Sequence, residues 1–175
     1  GMTFTLTLTA LAAAGGIVFG TLLAMMRLSS YRALSLVATG YVNLMRSIPL
    51  LLVIFWFYFL VPYIGAWMTG ASRPIQVGAF ASTVITFTRF EAAYYSEIMR
   101  AGIQSIPRGQ VSAGYALGLD YWQTMARIVL PQAIVRMLPA YGSILSITIK
   151  DTAIATVIAV PELMHQSETI ASQSL

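Results

Sequence analysis

The chain contains 175 residues, of which 58% are hydrophobic and 9% are charged, and its formal net charge is +4. Because about 25% of the residues in a soluble domain are charged, this composition excludes a fully hydrated surface and indicates that much of the chain contacts lipid. Cysteine is absent, which excludes disulfides and thiolate metal sites. Seven of the ten basic residues flank apolar segments, so the positive charge indicates membrane topology and not a nucleic-acid partner.

Four apolar segments are long enough to cross a bilayer as α-helices. About 20 helical residues span the hydrocarbon core, which is roughly 30 Å thick. The first two segments contain no charged residue, and the third and fourth contain a few. The sequence therefore predicts an all-α transmembrane helix bundle that forms one domain over residues 1–175, with spans near 4–26, 48–66, 75–99 and 138–160.

The arginines indicate the orientation of these spans. Three of them follow the first span, four lie between the third and the fourth, and Arg73 alone lies in the connection between the second and the third. Loops on the cytoplasmic side carry an excess of Lys and Arg. We therefore expect residues 27–47 and 100–136 on the cytoplasmic side and both ends of the chain on the outer side.

The segment between the third and fourth spans is patterned as helices. Pro107 is expected to end the helix that leaves the third span. Gly118 is placed to end a short helix in the left-handed conformation, and Asp120 is placed to cap the next helix. That helix is predicted over Tyr121–Val129, with Pro131 stopping it. The expected result is two short helices beneath the membrane, whose small side chains allow another protein to approach closely.

The same segment resembles the loop shared by import permeases of the ABC transporter class. That loop reads Glu-Ala-Ala, three residues, Gly, nine residues, Ile, one residue, Leu-Pro. This chain has Ser112-Ala113-Gly114, then Gly118 and Ile128-Val129-Leu130-Pro131 at the same spacing. Ser112 stands where the family has Glu, and Gly114 replaces the second Ala.

Other stretches resemble the polar amino acid branch of that family. The run Phe90-Glu-Ala-Ala-Tyr-Tyr-Ser-Glu-Ile98 is similar to the glutamate/aspartate importers in particular. The remaining stretches are Tyr41-Val-Asn-Leu-Met-Arg-Ser-Ile-Pro49, Glu97-Ile-Met-Arg-Ala-Gly-Ile-Gln-Ser-Ile-Pro107, Leu117-Gly-Leu-Asp-Tyr-Trp-Gln-Thr124, Leu130-Pro-Gln-Ala133 and Lys150-Asp-Thr152.

The resemblance implies the partners of the chain. It implies a permease in the bacterial inner membrane that works by alternating access, with a second permease subunit, identical or paralogous, and an extracytoplasmic amino-acid-binding protein. It also implies a fifth span beyond Leu175, which makes residues 162–175 an outer connection. The loop 101–136 would couple to a cytoplasmic ABC ATPase dimer through Arg108, Gln110, Ser112, Ala113, Gly114, Gly118, Ile128, Leu130 and Pro131.

The chain itself is not expected to be an enzyme. It has no Gly-x-x-x-x-Gly-Lys-Ser/Thr sequence with which to hold nucleotide phosphates. No cofactor is therefore expected in this chain, and ATP would be bound by the partner ATPase subunits. His165 has no second ligand at metal-binding spacing and is interpreted as a surface residue.

Charged residues inside the spans are the candidates for binding an amino acid. A charge at the bilayer centre costs about 2.5–3.5 kcal/mol on insertion scales, so such residues line a path or pair with each other. Arg89 can hold a carboxylate through two hydrogen bonds. Lys150 can supply a second positive charge, and Glu91 or Asp151 can meet an ammonium group.

A structural explanation of these charges also stays open. Arg89–Asp151 or Glu91–Lys150 pairs would hold helices together without touching a substrate. Glu97 and Arg100, three residues apart on one helix face, are predicted to form a structural pair.

Other functions are also compatible with the sequence. A permease of the same class for glutamine, histidine or arginine is one, and a non-transporting assembly subunit is another. An ion-coupled secondary transporter is a third, although such transporters are built from repeats and broken helices that are not visible here.

Overall fold

The computed structural model describes residues 1–71, 73, 78–158 and 163–173. Regular structure in this part of the chain is entirely helical, which confirms the predicted all-α class. The helices are α1 (Met2–Leu28), α2 (Arg32–Ser47), α3 (Leu50–Thr69), α4 (Ala79–Gln104), α5 (Arg108–Ala116), α6 (Tyr121–Ala155) and α7 (Leu163–Gln173). A 3-10 segment over Thr152–Ile158 includes the last turn of α6 and continues beyond it.

Helices α1 and α4 pack against each other in the same direction. The rings of Phe4 and Phe80 meet near their first turns at 5.1 Å, and Arg27 meets Glu97 near their last turns. Between these contacts the backbones approach closely at Gly20, where a Cβ would lie 2.7 Å from the Cβ of Tyr95. Small residues allow such close contact between membrane helices.

Helices α3 and α6 run in the opposite direction to α4. Phe57 of α3 lies beside Arg89, whereas Tyr141 of α6 stacks near Tyr95, with ring centroids 5.3 Å apart. Met137, earlier in α6, contacts Gly102 near the end of α4. Helix α4 is therefore the central element, and α1, α3, α4 and α6 alternate in direction along the chain.

Three of the described helices, α1, α3 and α6, are long and apolar enough to cross a membrane. Helix α4 has 26 residues and is about 39 Å long, so it is long enough to cross a membrane, but its polar residues make it less apolar than these three helices. Several of them, including Thr83, Thr86, Glu91 and Ser96, are buried against neighbouring helices. The polarity of α4 thus reflects contact with protein on most sides. The predicted start of this span at 75 and the predicted end of the fourth span at 160 lie outside the described residues.

The prediction that Pro131 stops a short helix is wrong. Helix α6 continues through Pro131 because the five residues before Leu130, Met125–Val129, form a π-helical turn in which the N–H of Leu130 donates to the carbonyl of Met125. The wider turn accommodates a proline, which has no N–H to donate and clashes with the carbonyl four residues earlier. Helix α3 has the same arrangement, with a π-helical turn over Trp56–Leu60 just before Pro62.

Two further differences concern the predicted boundaries of the helices. The helix that contains the fourth predicted span begins at Tyr121, well before 138, so α5 is the one separate short helix between α4 and α6. Residues 32–47, predicted as part of a connection, form the amphipathic helix α2. Its Ala38, Val42 and Met45 are buried, whereas Leu36 and Val37 are exposed. The segment was missed because its apolar residues are interrupted and no run approaches the length of a span.

The local signals around α5 are confirmed. Pro107 precedes its first residue, and α4 ends at Gln104. Gly118 has a φ of 76°, which a residue with a side chain rarely adopts, and the N–H of Leu119 donates to the carbonyl of Gly114. Asp120 accepts from the N–H of Gln123 at 2.8 Å, while the Gln123 side chain accepts from the N–H of Asp120. This capping box starts α6.

Candidate functional site

Arg89 lies at the edge of a cavity between α3 and α4. The cavity has a volume of about 280 Å³ and is lined mostly by apolar groups, including Phe57 and Ile85, with Ser82 as a polar neighbour. The Arg89 guanidinium is 5.5 Å from the centroid of the Phe57 ring, and the side chain is exposed. Among the described residues the ion pairs all involve Glu97, so Arg89 keeps an uncompensated positive charge beside this space.

Glu91 points to a different neighbourhood. It is only 2% exposed, and its Oε2 has no hydrogen-bond partner among the described residues. Gly16 of α1 packs against it, since a Cβ there would be 3.1 Å from the Glu91 Cβ. Its electrostatic neighbours are Thr148 and Asp151, both on α6. Residues two apart on a helix point about 200° apart. Arg89 and Glu91 therefore lie on different faces of α4.

Lys150 and Asp151 lie where α6 changes from α-helix to 3-10 helix. Lys150 is exposed and Asp151 is half-buried. The change follows at Thr152, whose hydroxyl donates to the carbonyl of Ile149 at 2.7 Å. Neither of the alternative pairs considered above, Arg89–Asp151 or Glu91–Lys150, is formed within the described parts of the chain.

The four candidate residues therefore do not form one cluster within the chain. Glu91 and Asp151 are neighbours between α4 and α6, Arg89 faces the α3 side of α4, and Lys150 is open to the surroundings. The contributions of Phe57 and Thr148 were not identified from the sequence, because an isolated phenylalanine or threonine in an apolar span carries no signal of its own.

The residues of the predicted coupling loop divide into packing and exposed groups. Gly114 is buried where α5 meets α6, and a Cβ there would lie 2.8 Å from the Cδ1 of Ile128. Gln132 of α6 donates to Gln110 at 3.4 Å. Thus Gly114 and Ile128, two residues of the loop pattern, attach α5 to α6. The exposed members of the set are Arg108, Gln110, Ser112, Ala113, Gly118, Leu130 and Pro131.

Glu97 has more partners than the sequence predicted. Its predicted pair with Arg100 is formed, and it also lies 2.6 Å from Arg27 of α1 and 3.7 Å from Arg46 of α2. The guanidinium of Arg46 also lies over the ring of Tyr94, 5.6 Å from its centroid. The only sequence signal for these partners was the expected position of all three arginines at the cytoplasmic end of their helices.

Residues 16–171 match the protein family described as "Binding-protein-dependent transport system inner membrane component". The chain belongs to this family. A relative with 44% identity over 170 residues, covering 97% of this chain and 75% of the relative, is the "Glutamate/aspartate import permease protein GltK" of Escherichia coli O6:H1. Another, 37% identical over 175 residues and covering 100% of this chain and 77% of the relative, is the "Probable glutamine ABC transporter permease protein GlnM" of Bacillus subtilis.

A solved structure supports the same assignment at the level of the fold. "Crystal structure of an amino acid ABC transporter with histidines" superposes with a TM-score of 0.86 at 34% identity, covering 98% of this chain and 76% of that chain. The methionine ABC transporter MetNI in an inward-facing conformation shares the fold at 22% identity with a TM-score of 0.68, covering 90% of this chain and 72% of that chain. The chain is thus a permease of the amino-acid ABC importer type, and its helices form the bundle typical of that family.

Proposed function

We propose that this permease carries glutamate and aspartate into a bacterial cell by alternating access, driven by a separate ATPase. The observation that carries the choice of substrate is the guanidinium of Arg89, which has no ion-pair partner among the described residues and lies beside the cavity between α3 and α4. An acidic amino acid has two carboxylates and one ammonium group, so its binding site needs an excess of positive charge.

The chemistry of Arg89 fits one of these carboxylates. A guanidinium binds a carboxylate through two parallel hydrogen bonds, and an apolar cavity wall strengthens such a contact by excluding water. Lys150 and Asp151, near the end of α6, remain the candidates for the second carboxylate and the ammonium group, whereas Glu91 is buried on a different face of α4 from Arg89 and does not line this cavity. The similarity to GltK supports the same substrates.

The remaining parts of the proposal concern topology and partners. Four spans cross the bacterial inner membrane with the segment 100–136 in the cytoplasm, and a second permease subunit, identical or paralogous, completes the path. An extracytoplasmic binding protein delivers the amino acid. An ABC ATPase dimer that holds ATP contacts the exposed surface of α5 and the following turn, while the chain itself catalyses no reaction.

Uptake by the reconstituted complex tests the substrate. Arg89→Gln should raise the KM for glutamate by about 10- to 100-fold, the loss expected for a hydrogen bond to a charged group, and Arg89→Lys should lose less. Arg73→Gln, which removes an exposed arginine from the α3–α4 connection, is the matched control and should transport normally. Unchanged glutamate uptake by a folded Arg89→Gln complex would contradict the role of Arg89.

The same vesicles distinguish the other classes of function. Uptake should require ATP inside the vesicles and persist when an ionophore collapses ion gradients. Uptake that stops with the ionophore would identify a secondary transporter, and a complex that assembles without any transport would identify an assembly subunit.

Glutamine is the second candidate substrate. It is favoured by the similarity to GlnM and to the "Glutamine transport system permease protein GlnP" of Escherichia coli, which is 34% identical over 170 residues. Competition among glutamate, aspartate, glutamine, histidine and arginine decides between them. Stronger competition by glutamine than by glutamate would replace the acidic substrate.

A further inference from the structure

Three arginines surround one glutamate near the last turns of α1 and α4. The Nη1 of Arg27 is 2.6 Å from the Oε2 of Glu97, and the Nη1 of Arg46 is 3.7 Å from the same oxygen. Arg100 donates to the other oxygen, Oε1, and also to Gln104. The residues come from α1, α2 and α4, so this arginine cluster joins three helices.

The charges of the arginine cluster do not balance. Three guanidiniums face one carboxylate, which leaves an excess of two positive charges. The Arg27 side chain is only 9% exposed, and within the described residues the Nε atoms of Arg27 and Arg100 are buried without a hydrogen-bond partner. Charge held away from water is costly unless it is compensated. Arg27, the most buried of the three, is paired with Glu97, so the excess positive charge lies on the more exposed Arg46 and Arg100, where an anion from outside the chain could approach.

Glu97 also borders a second cavity, between α4 and α6. This cavity has a volume of about 410 Å³, and Ile98, Ala101, Met137 and Ala140 provide an apolar lining. Arg136 lies at its edge, where it donates to the backbone carbonyl of Ser105 at 2.6 Å. The cavity is thus mostly apolar, with Arg136 as its cationic lining residue and Glu97 as its link to the arginine cluster, and an acyl chain of a lipid has the matching apolar surface.

The position of the arginine cluster matches the headgroup level of a bilayer. Arg27 lies in the last turn of α1, an apolar helix long enough to cross the membrane. In the orientation given under the proposed function, on which this step rests, that turn lies at the cytoplasmic interface. Anionic lipids give this leaflet a negative surface potential that attracts Lys and Arg.

We propose that the arginine cluster binds the phosphate of an anionic phospholipid of the inner leaflet, with an acyl chain in the cavity between α4 and α6. Arg46 and Arg100, which are more exposed than Arg27, hold the phosphate. Arg27 and Glu97 fix their orientation. The lipid then ties α1, α2 and α4 together at their cytoplasmic ends.

Native mass spectrometry of the permease purified with its ATPase tests the proposal, with phosphatidylglycerol and phosphatidylcholine as probes. Phosphatidylglycerol should bind preferentially. The double variant Arg46→Gln/Arg100→Gln should lose about 25-fold in affinity for it, roughly fivefold for each arginine. The matched control, Arg32→Gln/Arg127→Gln, removes two exposed arginines outside the cluster and should lose much less affinity, because neither residue contacts Glu97.

A charge-preserving variant is the control for loss of folding in the double variant. Arg46→Lys/Arg100→Lys should keep the preference for phosphatidylglycerol. Equal binding of the two lipids, or an equal loss in the control variant, would overturn the proposal, because either result means no site or only diffuse attraction.

Two further results would assign the site to another anion. Displacement of the lipid by inorganic phosphate at equal affinity would indicate a soluble anion. Binding to the permease alone but not with the ATPase would indicate an acidic side chain of the partner. The readout needs neither transport nor ATP hydrolysis, so its failure is distinct from failure of the proposed function.

Discussion

Gly114 is the position at which α5 rests on α6, and its replacement tests whether this contact transmits the ATPase cycle. A Cβ at Gly114 would lie 2.8 Å from the Cδ1 of Ile128 and 3.0 Å from the Cγ2 and Oγ1 of Thr124. Thr124 is 1% exposed and cannot move away. The Ile128 methyl is the end of a flexible side chain, so it moves first and at lower cost.

The expected magnitude follows from two opposing effects. Overpacking costs about 1–3 kcal/mol, whereas Gly→Ala in a helix returns about 1 kcal/mol. Gly114→Ala should therefore weaken the attachment of α5 by about 1 kcal/mol. Gly109 of the same helix has nothing within 4 Å of the added Cβ, so Gly109→Ala should stabilise α5 by about 1 kcal/mol. The two substitutions should thus differ by about 2 kcal/mol.

Hydrogen exchange of the α5 amides in the detergent-solubilised complex measures this attachment, and ATP-driven uptake measures its consequence. Gly114→Ala should exchange faster and transport less per ATP hydrolysed. Ile128→Val removes the closest methyl group. In the double variant with Gly114→Ala, the attachment of α5 should therefore be about 1 kcal/mol more stable than the sum of the two single substitutions predicts. Equal protection of α5 in Gly114→Ala and Gly109→Ala would refute the packing argument, and a loosened α5 with unchanged coupling would refute its role in transport.

Other contacts lead to separate expectations. Gly20→Ala brings a Cβ within 2.7 Å of a tyrosine Cβ and 2.9 Å of a backbone oxygen of α4; it should destabilise the bundle by about 2 kcal/mol, whereas Gly40→Ala, in open space within α2, should melt slightly above the parent because alanine favours a helix over glycine. Asp120→Ala removes the capping box and should cost about 1 kcal/mol, seen as faster exchange in the first turn of α6; Asp120→Asn should retain most of the protection, and equal loss in both would argue against the cap. Glu97→Gln leaves the arginine cluster uncompensated and should cost about 2 kcal/mol by thermal unfolding, with Glu168→Gln, a change at an exposed residue of α7, as the neutral control.

Signals that act within a few residues of the chain were sufficient for part of this fold. Pro107 before α5, the left-handed Gly118 and the Asp120 cap were each predicted and are each present, because a missing N–H, a positive φ and a side-chain cap depend only on adjacent backbone. Apolar length likewise predicted α1 and α3. The loop spacing and the wider resemblance predicted the family that residues 16–171 match.

Pro131, which was predicted to stop a helix and does not, shows where local sequence signals are insufficient. A proline by itself favours the end of a helix, but a continuous α6 is stabilised more by the packing of its later residues. Its residues beyond the proline, among them Ala133 and Met137, pack against other helices, and one π-helical turn suffices to absorb the missing N–H. This balance depends on tertiary packing and cannot be read from the proline itself.

The partners that charged residues have on other helices were decided by helix packing. The sequence predicted the Glu97–Arg100 pair because both residues lie on one helix, whereas Arg27, 70 positions away, reaches Glu97 only because α1 and α4 pack in parallel at Gly20. The same packing buries Glu91 and leaves Arg89 beside a cavity. Composition and spacing determine which residues are charged and which face of a helix they occupy. The distance from each charge to another helix, which sets its partner and its cost, exists only once the helices are assembled.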